Sequence, residues 1–442
     1  MARKINSEKI VNGVMKFVNL KAIQAIKDGI LFILPLTLVG SIFLLLAQLP
    51  IPAFNDFMAG IFGEGWINPL LRIYSASFGI MGMVAAIGIA YTYVKNEGHD
   101  PLPAGILGLV VFLVTSPNSV TDAASGVVVG NVIDMTWTGG QGMVNAIIVG
   151  LAVGYIYSWF LNRDIRIKMP DGVPDGVSNA FSSLIPGAVI MVLAMIVHIG
   201  FEYGLNKTFL EWIYDVLQKP LQGLTDSLPA VILISAIGPF LWWFGVHGSS
   251  LVSGVMMGIL ASNSAANQAI IDKGLALTID NGAKIVTQQF LDNLLILTGS
   301  GITIGLVLAM VFRAKSAQYK QLGKIAIVPA IFNINEPITF GTPIVMNPLM
   351  FIPFVTVPVI TALISYFAIA TGLVPPFSGV LVPWTTPPIV SGFLLGGWRT
   401  ALLQIVILAL SVVVYYPFFK KQDEIMYKQE LENAKLENSI ED

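Results

Sequence analysis

One carboxylate stands alone in the stretch "FNINEPITFGTPIVMNP", residues 332–348. Within residues 325–398, Glu336 is the only Asp, Glu, Lys, Arg or His. Burial in apolar surroundings favours the neutral acid, and hydrogen bonds to the charged form oppose that preference. An ionisable group in a membrane segment indicates function because it costs several kcal/mol to place there. The alternative is an acid that pairs with a Lys or Arg from another part of the chain and serves only packing.

Amides and a hydroxyl flank this acid. In a helical register Asn333, Glu336 and Thr339, or Asn335 and Thr339, would share one face. Such a cluster suits a polyhydroxyl ligand, whose O–H groups need both donors and acceptors. We therefore predict that Glu336 acts on the ligand chemically and that Asn333, Asn335 and Thr339 bind it.

A second titratable group lies in "GPFLWWFGVHGSS". His247 is the only ionisable side chain between Asp226 and Asp272, and neighbouring glycines permit tight turns beside it. We predict a catalytic role for His247. The alternative is a core histidine whose ring donates to a backbone carbonyl.

Aromatic and polar side chains supply further candidates for ligand contacts. Trp242, Trp243 and Trp384 offer platforms for the apolar faces of sugar rings, although tryptophan is also common at membrane surfaces. Asp292 and Asn293, in "FLDNLLILTGSG", fit either ligand binding or helix capping. The following run "LTGSGITIG" is interpreted as helix packing by small residues.

The composition predicts an integral membrane protein. Hydrophobic residues make up 55% of the 442 residues and charged residues 11%, against about 25% charged in soluble domains. The near-neutral balance of 24 basic and 26 acidic residues offers no footprint for nucleic acid. Cysteine is absent and histidine occurs three times, so we predict no metal site. No GxxxxGK[ST] phosphate loop is present, and we predict no cofactor.

Apolar runs long enough to cross a bilayer predict an all-α protein with about ten transmembrane helices. The candidate spans are 29–49, 73–94, 103–115, 142–161, 184–205, 228–246, 290–312, 325–345, 349–371 and 392–419. "LVSGVMMGIL" (251–260) is too short and glycine-rich for an ordinary span, which suggests a hairpin or half-helix there.

The distribution of basic residues predicts the orientation. Lys and Arg cluster within 163–168, 313–324 and 420–435, whereas 116–141 holds none. Cytoplasmic loops are enriched in these residues, so both termini are expected in the cytoplasm. The basic first 28 residues lack the pattern of a secretory signal and are expected to stay on the chain.

The two halves of the chain differ in character. Residues 1–226 indicate conventional helices and an amphipathic connector at 206–226, whereas 227–420 are interrupted by proline. Proline removes a backbone donor, and irregular backbone at membrane depth persists only inside protein or beside a water-filled cavity. The second half is therefore expected to contain broken helices and re-entrant loops around a site. Residues 421–442 are expected to form a short, solvent-exposed cytoplasmic tail.

The signature "FNINEPITFGTPIVMNPLMFIPF", together with "WWFGVHG" and "VPWTTPPIVSG", resembles the membrane (EIIC) component of the bacterial sugar phosphotransferase system (PTS). More narrowly, it is similar to the lactose/cellobiose/N,N'-diacetylchitobiose family. The resemblance implies the Lac/Glc-superfamily architecture: a homodimer in the cell membrane, with an N-terminal dimerisation domain and a C-terminal sugar-binding domain carrying two re-entrant hairpins. It also implies that Glu336 and His247 lie near the reacting sugar hydroxyl and that Trp384 lies against the sugar.

The same resemblance implies the chemistry. The phosphoryl donor in this family is a phosphocysteine on IIB, itself charged through IIA, HPr and enzyme I. This chain has no cysteine and little sequence after the last span, so IIB is expected to be a separate protein. The chain would then be the permease subunit of a phosphotransferase complex that imports cellobiose or diacetylchitobiose. The rival interpretation is a proton-coupled sugar symporter in which Glu336 carries the proton.

Overall fold

The protein is helical and rich in membrane-length helices. The computed structural model describes residues 16, 19–47, 51–121, 126–170, 172–244, 248–342, 344 and 347–441. Among these, six helices are long and apolar enough to cross a membrane, or seven if the bent pair Phe209–Thr225 and Leu228–Trp243 counts as one span. The predicted all-α integral membrane class is confirmed. The count of about ten spans and the two re-entrant hairpins remain predictions.

The α-helices are Lys21–Ile30, Leu34–Ala47, Pro52–Phe62, Asn68–Phe78, Met81–Asn96, Leu102–Val114, Met135–Thr138, Met143–Asn162, Asp175–Ser182, Leu184–Leu205, Phe209–Ile213, Lys219–Thr225, Leu228–Trp243, Gly248–Asp272, Gln288–Phe290, Ile304–Arg313, Ala317–Ile331, Glu336–Gly341, Pro348–Ala370 and Val390–Glu441. Short 3-10 helices are Leu31–Ile33, Glu64–Ile67, Gly140–Gly142 and Ile279–Asn281, and π-helical turns are Tyr214–Gln218 and Leu291–Leu295. Strands Ser119–Thr121 and Val128–Gly130 pair antiparallel.

Backbone contacts divide the chain into two compact units. The first comprises the described residues of 1–48, 53–225 and 253–266. The second comprises those of 49–52, 226–252 and 267–442. Every residue discussed below as part of the candidate site belongs to the second unit.

Glycines let the helices of the first unit approach closely. A β-carbon on Gly150 would lie 2.7 Å from the β-carbon of Ile89, and one on Gly29 would lie 2.5 Å from the α-carbon of Ile89. Membrane helices associate through such small residues because lipid gives little hydrophobic driving force between them. Helix Met81–Asn96 is therefore held between Lys21–Ile30 and Met143–Asn162.

A polar cluster joins the ends of these three helices. Lys21 forms a 2.5 Å ion pair with Glu97, and the side-chain amide of Asn162 donates to Glu97 at 3.2 Å. Partial burial of Glu97 favours its neutral form, but the hydrogen bonds from Lys21 and Asn162 outweigh it and lower the pKa of Glu97 below its ordinary value.

Two expectations about the helices are wrong. Residues 248–272 form one 25-residue helix rather than a hairpin or half-helix. Its glycines lie at close contacts and do not break it, since a β-carbon on Gly254 would lie 3.1 Å from the β-carbon of Lys27. The span expected at 290–312 is interrupted, because a non-helical segment separates Leu291–Leu295 from Ile304–Arg313.

The tail, residues 421–442, was expected to be solvent-exposed, but part of it is buried. It continues the helix that follows the break at Gly396 and Gly397, where the backbone of Val390–Glu441 is not helical, and Asp423 on it is 3% exposed. The Asp423 carboxylate accepts from the backbone N–H groups of Lys315 (2.7 Å) and Ser316 (3.1 Å). Glu430 accepts from two further N–H groups at the start of helix Ala317–Ile331. Carboxylates suit a helix N-terminus because its first N–H groups lack helical partners.

Candidate functional site

The acid at 336 begins a short helix after a break in the chain. Helix Ala317–Ile331 ends before the signature, and Asn333 adopts the left-handed conformation with φ +63°. Helix Glu336–Gly341 then starts, with proline at its second position. The predicted helical register for Asn333 is therefore wrong, because left-handed backbone at that residue ends the helical spacing. Glu336 itself is half-buried.

A non-helical segment, residues 296–303, lies beside this break. Thr298, Gly299, Gly301 and Ile302 all have positive φ. The interpretation of "LTGSGITIG" as helix packing by small residues is wrong for Gly299 and Gly301, which lie in unwound backbone. It holds for Gly305, where a β-carbon would lie 2.3 Å from the backbone of Ser411. We call residues 296–303 the unwound segment.

Side chains satisfy the backbone of the unwound segment. The Tyr415 hydroxyl donates to the carbonyl of Gly301 at 2.7 Å, and the Ser411 hydroxyl donates to that of Ile302 at 2.5 Å. Asn335 donates to the carbonyl of Ser300 at 2.7 Å. Backbone groups at membrane depth have no water to bond with. These contacts explain how an unwound helix persists in an apolar interior.

Asn333 connects three parts of the second unit. Its Oδ1 accepts from the backbone N–H of Thr298 at 2.7 Å. Its Nδ2 donates to the backbone carbonyls of Trp384 (2.6 Å) and Thr386 (2.8 Å). The side chain is 93% buried, since its exposed fraction is 7%. The amide therefore fixes the positions of the unwound segment and the Trp384 backbone relative to the chain entering Glu336.

Asn335 and Thr339 bond within the fold. Asn335 also donates to the Thr303 hydroxyl at 3.2 Å. A β-carbon on Gly299 would lie 2.7 Å from that of Asn335, so the backbone passes close to the amide. The Thr339 hydroxyl donates to the carbonyls of Asn335 and Glu336, each at 3.2 Å. Both residues are buried, which makes them part of the frame around Glu336.

The three tryptophans have different environments. Trp384 is 53% exposed, in a turn where the N–H of Thr386 donates to the carbonyl of Pro383. Trp243 is half-buried; its indole N–H donates to the carbonyl of Asn347 at 2.9 Å. Trp242 is 3% exposed and meets Phe340 edge-on, with ring centroids 5.6 Å apart. Of the three, Trp384 presents the most open ring.

Asp292 and Asn293 lie in the π-helical turn Leu291–Leu295, just before the unwound segment. Asp292 accepts from the Gln288 side chain at 2.9 Å. The backbone carbonyl of Asn293 accepts from the side chain of Gln404 at 2.9 Å. The side-chain nitrogen of Asn293 is buried and has no hydrogen-bond partner among the described residues. It remains available as a donor.

The second predicted catalytic residue, His247, lies outside the described residues.

A small cavity lies near the unwound segment. Its volume is about 10 Å³, and it is lined by the hydroxyl-bearing Ser235, Ser249 and Ser300 beside Pro239. That volume holds about one water molecule and excludes a sugar ring. A second, more open and apolar cavity of about 470 Å³ is lined by Ile389, Phe393 and Trp398, a few residues after Trp384.

Comparison with known proteins decides the family. A family model described as phosphotransferase system, EIIC, matches residues 27–358. The chain belongs to this EIIC family. The resemblance drawn from the signature is thereby confirmed, and the EIIC chain is a multi-pass membrane subunit for sugar transport.

Similar proteins cover nearly the whole EIIC chain. The cellobiose-specific EIIC component of Geobacillus stearothermophilus is 41% identical over 92% of this chain and 91% of its own. The lichenan permease IIC component of Bacillus subtilis is 40% identical over 97% of this chain and 95% of its own. The crystal structure of ChbC, the IIC component from the N,N'-diacetylchitobiose-specific system, matches with a TM-score of 0.91 at 37% identity, covering 96% of this chain and 98% of ChbC.

Sequence reasoning missed a set of buried amides in the EIIC chain. They hold the proline-rich segment, residues 374–392, by its backbone. Asn267 donates to the carbonyl of Phe377, and Gln289 donates to those of Ser378 and Val380. Gln404 accepts from N–H groups further along. A lone amide within an apolar run, such as Gln404 in "TALLQIVILAL", was the available signal.

Proposed function

We propose that this chain is the sugar-translocating IIC subunit that imports a β-linked disaccharide, cellobiose or N,N'-diacetylchitobiose, and presents its C6 hydroxyl for phosphorylation. The sugars named for its relatives support this class of substrate. One observation carries the proposal: the Asn333 amide ties the backbone beneath the exposed Trp384 to the chain three residues before Glu336. The buried Asn333 amide therefore fixes the backbone of both the tryptophan that would stack on a sugar and the acid.

The proposed roles follow from the chemistry. Phosphoryl transfer needs mostly positioning and charge stabilisation. Glu336 accepts a hydrogen bond from the reacting hydroxyl and orients it or takes its proton, and His247 positions the same hydroxyl or offsets developing charge. Trp384 stacks on a sugar ring, and Asn293 donates from its side-chain nitrogen. Asn333, Asn335 and Thr339 hold this frame, with Trp242 and Trp243 beside it.

The phosphoryl donor lies outside these 442 residues in this proposal, because they include no cysteine. A separate phospho-IIB, charged through IIA, HPr and enzyme I, docks on basic cytoplasmic loops. The chain works as a homodimer in the bacterial cytoplasmic membrane, with residues 1–226 forming the dimer and both termini in the cytoplasm. Residues 227–420 carry the sugar across in an elevator-type movement.

Calorimetric titration of the purified protein with cellobiose, diacetylchitobiose, lactose and sucrose tests the sugar class. We expect cellobiose or diacetylchitobiose to bind, and sucrose, which has no β-linked pair of hexopyranoses, to fail. Trp384→Ala is expected to raise the Kd at least about tenfold because the stacking surface is lost. Trp384→Phe, the matched control, keeps a ring and most of the affinity. Absence of binding by both predicted sugars would refute the proposal.

A further inference from the structure

The backbone at Ile389 is strained. Its φ is +73°, a left-handed conformation that is a genuine outlier for a β-branched residue. Residues persist in such conformations only where the surrounding structure holds them there. Ile389 lies five residues after Trp384 in the proline-rich segment. Whatever holds Ile389 therefore also sets the direction in which the chain leaves the Trp384 turn.

Gln404 is the side chain that holds it. Its Oε1 accepts from the N–H of Ile389 at 2.6 Å and from the N–H of Gly392 at 2.9 Å. Its Nε2 donates to the Ser391 hydroxyl at 3.0 Å and to the carbonyl of Asn293 at 2.9 Å. Gln404 and Ser391 are each 0% exposed. Both ends of the amide are therefore fully engaged.

The approach of Gln404 depends on a glycine. A β-carbon on Gly392 would lie 2.5 Å from Oε1 of Gln404 and 2.8 Å from its Cδ. Contacts this short force something to shift, because the neighbour is a buried side chain held by four partners. Gly392 therefore offers a second way to disturb the Gln404 contacts without changing Gln404.

Gln404 also connects the segment to the predicted ligand residues. On one side it fixes the exit from the Trp384 turn, whereas Asn333 fixes the turn itself. On the other side it bonds the backbone of Asn293, whose side-chain nitrogen has no hydrogen-bond partner in the part of the chain that the structure describes. Gln404 is thus bonded directly to the backbone of Asn293 and to the backbone of Ile389, five residues after Trp384.

We propose that Gln404 is a positioning residue for the sugar site: it holds Ile389 in its strained conformation and thereby fixes the Trp384 segment relative to Asn293. The proposal rests on the proposed function, since it assumes that the sugar contacts Trp384. Gln404 touches no sugar itself. Its loss should weaken sugar binding while leaving the phosphoryl-transfer step of bound sugar intact.

The first measurement needs no sugar. Thr385→Cys introduces a single cysteine beside Trp384 into a chain that has none, and a nitroxide label there reports segment mobility by electron paramagnetic resonance. We expect greater mobility in Gln404→Leu and in Gly392→Ala. Gln404→Glu is expected to restore the wild-type spectrum, because a neutral carboxylic acid in an apolar site offers one donor and one acceptor. An unchanged spectrum in both disturbing variants would overturn the proposal.

The second measurement is of phosphorylation kinetics with phospho-IIB. We expect Gln404→Leu and Gly392→Ala to raise the KM for the disaccharide about tenfold, with kcat changed much less. Gln222→Leu is the matched control: Gln222 is also buried, and its amide donates to the Ser262 hydroxyl at 2.7 Å in the first unit. We expect this variant to be less stable than the wild type and its KM to be unchanged.

The two measurements distinguish failure of the Gln404 inference from failure of the proposed function. If the label becomes mobile and KM is unchanged, Gln404 has no positioning role in sugar binding and this inference fails. If the wild-type protein binds neither disaccharide, the proposed function fails, whereas the label still reports whether Gln404 holds the segment.

Discussion

Replacing Glu336 by glutamine is expected to abolish phosphorylating uptake of the disaccharide. The substitution keeps the shape of the side chain and removes its charge and its capacity to accept a proton. Catalysis by a positioned acid or base contributes roughly 10²–10⁴-fold to a rate, so uptake should fall by at least the lower figure. Sugar binding should weaken as well, because the carboxylate also accepts the hydrogen bond that orients the hydroxyl. The measurement is sugar phosphate formed per minute in vesicles supplied with phospho-IIB.

Asp272→Asn is the matched control for this prediction. Asp272 is exposed at the end of helix Gly248–Asp272, and its carboxylate accepts from the Gln268 side chain at 2.9 Å, a bond that asparagine can retain. It should leave uptake unchanged. Melting temperatures of both variants show whether each is folded. Wild-type uptake by Glu336→Gln would contradict the assigned role.

Replacing Asn333 by leucine is expected to destabilise the second unit by several kcal/mol. Three backbone groups lose their partner: the N–H of Thr298 and the carbonyls of Trp384 and Thr386. Each buried, unsatisfied group costs about 1–3 kcal/mol. Leucine must also adopt φ +63° there, which adds about 1–2 kcal/mol. The measurement is the midpoint of thermal unfolding in detergent, together with the yield of folded protein.

Two further variants separate the contributions at Asn333. Asn333→Gly removes the strain of positive φ and the hydrogen bonds together, so it should remain destabilising if the bonds dominate. Asn333→Asp, as a neutral acid in this buried site, keeps the acceptor for Thr298 and one donor for the two carbonyls of Trp384 and Thr386, so it should fold better than the leucine variant yet bind sugar less well. A leucine variant with the wild-type melting temperature would contradict this account of the amide.

The sequence predicted the class of protein and the place of irregular backbone. The isolation of Glu336 and the density of proline after it indicated a broken region, and the structure has one at Asn333. Composition alone predicted that the protein is embedded in a membrane. These features are local, because each depends on residue types within a short stretch of chain.

What the sequence left open depends on partners that are distant along the chain. Asn333 bonds Thr298 and Trp384, 35 and 51 residues away, and no local pattern specifies such pairs. The same limit explains why "LTGSGITIG" was only partly interpreted correctly, since small residues suit close helix packing and unwound backbone equally well. The unwound backbone is supported by the hydroxyls of Tyr415 and Ser411, more than a hundred residues later, and by the amide of Asn335.

The tail shows a related limit. Its charges indicated solvent exposure, yet Asp423 is buried against the N–H groups of Lys315 and Ser316. A charged residue is stable there because the carboxylate meets two unpaired donors. The sequence alone shows that Asp423 is charged, but it does not show which backbone N–H groups the carboxylate will bond.

The most direct test of the central claim uses proteoliposomes that contain this chain alone and enclose phospho-IIB. We expect disaccharide phosphate to accumulate inside only when phospho-IIB is present, with or without a proton gradient across the membrane. Accumulation of unmodified sugar that follows an imposed proton gradient in the absence of IIB would contradict it and would identify Glu336 as the carrier of a symported proton.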